Sequence, residues 1–308
     1  MKKKFDAGTV IAFIVMLLYS LFVLYMLIFC ILTALKSQHD FTSLKNYFGL
    51  PKWGEFVYLS GPLGDLTTTF RPFDNLKVAW VEMSRMLQMG KGASRRTASV
   101  VHLFLFSLLY AGGSMFVGLF SKLLVAYFCS KYDTRLGRIL YAVAVITMIL
   151  PIVGATASAV QLMRALNIYD TYYGILWYNA SYHGAYFLVF YAAFKGIPDS
   201  YGEAARIDGA GHFAVLFKIY IPMVIPSMYA IGIMQFITFW NEYQTPMLFL
   251  NSMPTIAYGL YYYEADTRFV IPTAKFAAAL LVCAPVIVLF VVFRNKILSN
   301  VTEGGLKG

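Results

Sequence analysis

The chain has 308 residues, 59% of them hydrophobic and only 13% charged, with a mean hydropathy of +0.65 and a formal net charge of +10. Those proportions exclude an ordinary water-soluble globular domain, in which about 25% of residues are charged. The basic excess does not describe a nucleic-acid surface either, because the Lys and Arg residues are scattered beside apolar runs instead of forming one stripe.

In chain order, Lys2, Lys3 and Lys4 precede a first apolar run, Val10–Leu35. No small-residue cleavage pattern follows it, so it reads as a retained helix. About 20 apolar residues cross the hydrocarbon of a bilayer. Five further runs reach that length: Val101–Phe128, Ile139–Met163, Tyr173–Phe194, Met223–Leu250 and Phe276–Phe293. The expected fold class is therefore all-α, a polytopic membrane protein with six transmembrane helices. Lys and Arg in short loops and tails number twelve on the side of both termini; the other side has Arg164, Arg268 and Lys275. By the positive-inside rule both termini are cytoplasmic. The expected organisation is a cytoplasmic N-terminus over 1–9, the first helix over 10–35, a loop over 36–100, a five-helix core over 101–295 and a cytoplasmic tail over 296–308.

The loop over 36–100 is too long to weigh in the charge rule and is expected to be extracytoplasmic. Gly61-Pro62, Gly64 and Pro72 interrupt its first half. In its second half Leu76, Trp80, Met83 and Leu87 recur at helical spacing behind Asp74 as N-cap, which predicts an amphipathic helix on the membrane surface. Cys30, Cys129 and Cys283 lie singly in apolar runs, without the spacing of a disulfide framework or a metal site.

The fourth connection, 195–222, is polar and lies on the cytoplasmic side by the charge count. Ser200 and Glu203 stand in the S-x-x-E order of a capping box, which predicts a helix starting there. Ala204, Ala205, Arg206 and Ile207 propagate it, and Gly209 supplies a residue able to take positive φ and end it. Glu203-Ala204-Ala205, three residues, Gly209, nine residues, Ile219, one residue, then Ile221 and Pro222 resembles the EAA signature of the permease subunits of bacterial ABC importers. The one departure is Ile221 where the pattern has leucine, a volume-conserving exchange. The resemblance implies that this helix docks in a cleft of a separate ATPase, with Glu203, Ala204, Ala205, Arg206, Asp208, Gly209 and Ala210 as its coupling residues.

Three further segments are similar to sugar permeases. The ending with Glu303, Gly304, Gly305 and Lys307 resembles the glycine-rich tail of one permease in maltose-type importers, where it reaches toward the ATPase; glycine content alone describes a frayed terminus. Asn241, Glu242, Tyr243 and Gln244, behind Trp240, resemble a Trp-Asn-acid segment of such permeases. Two readings fit these residues, contact with sugar hydroxyls and hydrogen bonding between helices. The third segment runs from Ser107 to Tyr132; there Gly112, Gly113 and Gly118 leave room for close helix approach, and Lys122 has no partner that the sequence names. The tyrosines at 169, 172, 173, 178 and 261–263 read as an aromatic belt, or as rings for sugar stacking or for contact with a binding protein that delivers substrate.

No phosphate-cradling G-x-x-x-x-G-K-[ST] occurs, and His39, His102, His183 and His212 have no metal or triad spacing. The resemblance therefore implies a transport subunit, not an enzyme, moving a sugar or oligosaccharide by alternating access across a bacterial cytoplasmic membrane. No cofactor is expected on this chain; ATP and Mg belong to the partner ATPase. The partners implied are a second permease subunit, two ATPase subunits, an extracellular solute-binding protein, a sugar and the lipid membrane, with no nucleic acid. The alternatives are an EAA permease for a non-sugar solute and an ion-coupled secondary transporter.

Overall fold

The computed structural model describes residues 7–53, 56–59, 66–69, 71–92, 96–150, 154–266 and 271–304 and is almost wholly helical. The chain divides into two units, Met1–Met86 with Leu260–Ala284 and Leu87–Gly259 with Pro285–Gly308. Among the described residues four helical stretches are long and apolar enough to cross a membrane: Gly8–Ala34, Val100–Lys131, His212–Asn241 and Pro272–Phe293.

In the first unit α1 (Ala7–Ala34) exposes its apolar side chains from Val10 to Ile28. A two-stranded antiparallel ribbon follows, β1 (Phe56–Leu59) and β2 (Leu66–Thr69), with Phe56 opposite Thr69. Then comes α2 (Asp74–Met86). Its buried face is Asn75, Ala79, Glu82 and Met83; of the expected stripe Met83 and Leu87 are buried, Leu76 is half-buried and Trp80 is exposed, so the buried face is turned part-way from that stripe. The reason is polar: the Asn75 amide donates to the carbonyls of Ala34 (2.8 Å), the last residue of α1, and of Lys36 (2.6 Å) just beyond it. Lys36, fully buried, donates to the carbonyls of Asn46 and Tyr47 and closes the segment after α1 into a compact loop.

Burial pushes the Glu82 carboxyl above its ordinary value, and the same surroundings, with the Glu82 carboxylate, push Tyr263 up to about 12. The folded chain then holds the Glu82 proton more tightly than the unfolded chain. That contribution is full below the unfolded pKa and is lost as pH rises through the raised folded value. Glu82→Gln is expected to raise the melting temperature at about pH 8 and to lose that advantage near about pH 4, where the ordinary glutamate titrates. Melting curves in detergent across pH test this; a variant less stable at high pH would contradict it.

The second unit begins with the two-residue strands β3 (Gln88–Met89) and β4 (Arg96–Thr97) and is built around α3 (Val100–Lys131). Against α3 pack α4 (Arg135–Ile149), α6 (Tyr172–Asn179), α7 (Ala185–Lys195) and α10 (Ile221–Asn241). Leu119, Leu123, Phe187, Phe190, Phe194 and Tyr220 form the core between them. Its other helices are α5 (Ala155–Ala165), α8 (Ser200–Ile207), α9 (His212–Val215) and α11 (Gln244–Phe249), while α12 (Ile256–Ala265) and α13 (Pro272–Gly304) each run through both units, the first unit holding Leu260–Ala284.

Three expected spans are interrupted. The run over 139–163 is α4 and α5, the latter entered through Gly154 at φ 85°; residues 151–153 lie outside the described residues. The run over 173–194 is α6 and α7, separated by Gly184 at φ 109°, a conformation that glycine alone adopts without strain. The run over 223–250 stops at Asn241 because Pro246 has no N–H for the Glu242 carbonyl and its ring would collide there, so α11 starts anew. A π-helical turn, Leu216–Tyr220, joins α9 to α10 immediately before Pro222.

The glycines of α3 divide. A Cβ on Gly113 would stand 2.1 Å from the Tyr172 hydroxyl and one on Gly118 3.1 Å from the Asn179 carbonyl, whereas one on Gly112 would meet nothing within 4 Å. Close approach therefore needs Gly113, leaves little room at Gly118, and does not involve Gly112.

Candidate functional site

The segment from Lys195 to Pro222 leaves α7, forms α8, turns and re-enters through α9. Its helix starts one residue earlier than a Ser200–Glu203 capping box requires: Asp199 occupies the N-cap position and makes no side-chain cap bond. Its carboxylate instead meets the Lys131 ammonium at 2.7 Å. The Lys131 side chain, at the end of α3, is only 4% exposed; it also donates to the Ile197 carbonyl and lies 5.0 Å above the Tyr220 ring. That ammonium holds the Asp199 carboxyl below the ordinary carboxylate range. Because Asp199 is mostly exposed, the pair fixes the loop's position more than it stabilises the fold.

The end of α8 is a Schellman motif. Gly209 has φ 83°, its N–H donates to the Arg206 carbonyl, and the Ala210 N–H donates to the Ala205 carbonyl at 2.9 Å. Beneath α8, a Cβ on Gly202 would stand 2.7 Å from the Tyr220 hydroxyl, so this glycine allows the helix to sit on the ring. Tyr127 links the cradle together, with ring centroids 5.3 Å from Tyr220, 5.5 Å from Phe194 and 5.7 Å from Tyr132. Tyr132 in turn bonds His212 (3.0 Å) and carries the Arg206 guanidinium at 5.8 Å.

The other face of α8 is open. Glu203, Ala204, Arg206, Asp208 and Gly209 are exposed, Ala205 and Ala210 half-buried. Among them stand two large apolar side chains that the sequence did not mark as coupling residues, Ile207 at 87% and Phe213 at 80% exposure. Their signal was present: bulky apolar residues inside an otherwise polar loop, with no helical periodicity that would bury them. Of the tail residues, Glu303 and Gly304 end α13, while Gly305 and Lys307 lie outside the described residues.

The polar segment at 241–244 does not converge on one point. Asn241 is exposed and its amide donates back to the Ile237 carbonyl; Gln244 opens α11 and is also exposed. Half-buried Glu242 accepts from the Tyr110 hydroxyl at 3.1 Å and from the Thr245 hydroxyl, so its carboxylate joins α3 to the α10–α11 break.

A second polar group lies within the same unit. Lys122 of α3 donates to the carbonyls of Ser181 (2.8 Å) and Gly118 (3.3 Å), and Asn179 donates to Ser114 at 2.8 Å. Gln235, 4% exposed, leaves its side-chain N–H donors without a partner. A cavity of about 410 Å³ adjoins this group; it is lined by Ala159, Leu162, Met163, Trp177, Tyr178, Ala180 and Ser181. Among the described residues no group of His, Cys, Asp and Glu could hold a metal ion.

The family profile described as "Binding-protein-dependent transport system inner membrane component" matches residues 114–300, more than half of the chain. The chain belongs to this family. It is 30% identical, over 68% of its length and 74% of the relative's, to the sulfoquinovosyl glycerol transport system permease protein SmoH of Agrobacterium fabrum. It is 24% identical, over 79% of its length and 89% of the relative's, to the melibiose/raffinose/stachyose import permease protein MelC of Bacillus subtilis. Its fold is similar to a chain of a bacterial ABC transporter involved in the import of the acidic polysaccharide alginate, with a TM-score of 0.70 at 19% identity, covering 96% of this chain and 98% of that one. As an inner membrane component of such a system, the chain is a membrane-embedded transport component and not an enzyme.

Proposed function

We propose that this inner membrane component imports a sugar or oligosaccharide by alternating access, driven by ATP hydrolysis on a separate subunit. The observation that carries the reading is the α8 turn: a short helix seated on buried Lys131 and a tyrosine cradle, with Ile207 and Phe213 turned outward. Large apolar side chains held out on a rigid mount are what a partner cleft anchors on. The sugar part rests on relatives whose own solutes are saccharides and on a cavity walled by Trp177 and Tyr178, rings suited to stacking on a pyranose face.

In this reading the chain crosses the membrane six times with both termini cytoplasmic, the third and fourth crossings being the interrupted pairs α4–α5 and α6–α7. It pairs with a second permease subunit, two ATPase subunits that bind ATP and Mg, and an extracellular solute-binding protein. Glu203, Ala204, Ala205, Arg206, Asp208, Gly209 and Ala210 meet the ATPase, and the tail with Glu303, Gly304, Gly305 and Lys307 reaches toward it. Asn241, Glu242, Tyr243 and Gln244 flank the substrate pathway, with Glu242 positioning helices. Closure of the ATPase dimer moves α8, and rigid-body movement of the packed helices opens the cavity to one side and then the other. The test is uptake of labelled saccharide into proteoliposomes holding the complex co-purified with the tagged chain. The expected result is uptake that requires ATP inside and survives an ionophore; uptake abolished by the ionophore and indifferent to ATP would replace this reading with ion coupling.

A further inference from the structure

α1 is exposed on every side from Val10 to Ile28, and its burial begins at Phe29. The twenty residues from Val10 to Phe29 rise about 30 Å, the thickness of the hydrocarbon of a bilayer, so Phe29 stands where hydrocarbon meets headgroups. The chain stays near that level after α1 ends. It folds back, so that the Phe48 ring lies 6.2 Å from the Phe29 ring and the Trp53 indole N–H donates to the Leu35 carbonyl at 3.4 Å.

The turn over 44–53 has a polar frame and an apolar tip. Lys36 donates to the carbonyls of Asn46 (2.6 Å) and Tyr47 (3.0 Å). The Asn46 amide donates to the Asp40 carboxylate (3.0 Å) and the Leu50 carbonyl (3.1 Å), and its oxygen accepts from the Gly49 N–H (2.9 Å). Three backbone carbonyls of the turn are thus satisfied from within the chain. Irregular backbone needs this at the edge of hydrocarbon, where water no longer replaces a missing partner. What remains outward is apolar: Phe48 is 77% and Leu50 75% exposed, and Leu44, Tyr47 and Trp53 are exposed beside them. Lys45 and Lys52 are exposed on the same turn. Phe and Leu beside Tyr and Trp, whose rings have polar tips, and long-stemmed Lys is the composition of a membrane interface. A contiguous apolar patch of this kind marks a protein or a membrane contact. Its continuity with the bare surface of α1, through the Phe29–Phe48 contact, selects the membrane.

We propose that the turn over 44–53 is an interfacial anchor whose partner is the phospholipid leaflet at the C-terminal end of α1. Phe48 and Leu50 enter the acyl boundary, Tyr47 and Trp53 lie at headgroup level, and Lys45 and Lys52 reach the phosphates. The anchor fixes the height of α1, whose 28 residues include no charge that would do so.

The experiment uses the full chain with its co-purified partners in vesicles of equal parts phosphatidylcholine and phosphatidylglycerol. An environment-sensitive fluorescent amino acid replaces Phe48, which is exposed enough for the fold to tolerate the change. The phosphatidylcholine is brominated either near the headgroup end of its acyl chains or near their methyl ends. Shallow bromines are expected to quench at least about twofold more than deep ones, as for side chains lying about 5–10 Å into the boundary. A photo-reactive phenylalanine analogue at position 48 is expected to give adducts with phospholipid. Quenching by neither lipid would place the turn in water and overturn the anchor. Stronger quenching by the deep bromines would overturn its interfacial placement. Adducts with a protein subunit in place of phospholipid would overturn the lipid partner and make the turn a subunit contact.

Discussion

Replacing Ile207 by Asp is expected to reduce ATP-driven uptake by about thirtyfold or more, the scale of a 2 kcal/mol interface anchor, without unfolding the chain. Ile207 is 87% exposed at the last residue of α8 and, among the described residues, is not part of the core cluster, so the substitution costs the isolated protein only about 1 kcal/mol, chiefly for an acid placed at a helix C-terminus. In a partner cleft the same change buries a charge without a counterpart. Phe213→Asp, at 80% exposure, is expected to behave alike, because both side chains stand on one turn fixed by the Gly209 Schellman motif. Uptake and melting temperature measured together separate the two effects. A fall in uptake matched by a fall in melting temperature would mean that these side chains support the fold instead of a partner.

Gly174→Ala is expected to destabilise the chain by about 3 kcal/mol, the upper end of overpacking costs. A Cβ there would stand 2.0 Å from the Ile168 carbonyl and 2.9 Å from the Thr171 hydroxyl, which accepts from the Gly174 N–H. The first obstacle is backbone, so no rotamer change relieves it; the start of α6 must move away from the turn that carries Tyr169 and Asp170. The opposite sign is expected at Gly112, where a Cβ meets nothing within 4 Å: Gly112→Ala in mid-helix should stabilise by about 0.5–1 kcal/mol. Denaturation of both variants in the same detergent checks the pair. Equal effects would mean that the close approach at α6 is absent.

The uninterrupted apolar runs were legible in the sequence. The runs read as Val10–Leu35 and Val101–Phe128 became α1 and α3 within three residues at each end, because apolar length without a breaker admits little else in a bilayer. The interrupted ones were not, although their breakers were visible. Gly184 and Pro246 lie inside hydropathic runs, and hydropathy sums over a window that a single backbone exception barely changes. In the loop after α7, Gly209 announced its positive φ by residue type alone. The capping box did not form as read because the competing partner of Asp199 is Lys131, 68 positions away, a contact that no local pattern encodes. The same holds for α2, whose face is set by the Asn75 bonds to α1 and not by its apolar stripe. Gly202 shows the limit most plainly: its need to be glycine is written in the Tyr220 ring above it, not in its neighbours.

In the proposed function α8 is the surface through which ATP hydrolysis reaches the membrane helices. A photo-reactive phenylalanine analogue placed at position 207 of the full chain, activated in intact cells, tests this directly. The predicted product is a covalent adduct with a subunit carrying a P-loop, lost when Gly209→Asp distorts the turn beneath the probe. Adducts with lipid alone, or with extracytoplasmic proteins, from a chain that is fully expressed and folded would contradict it.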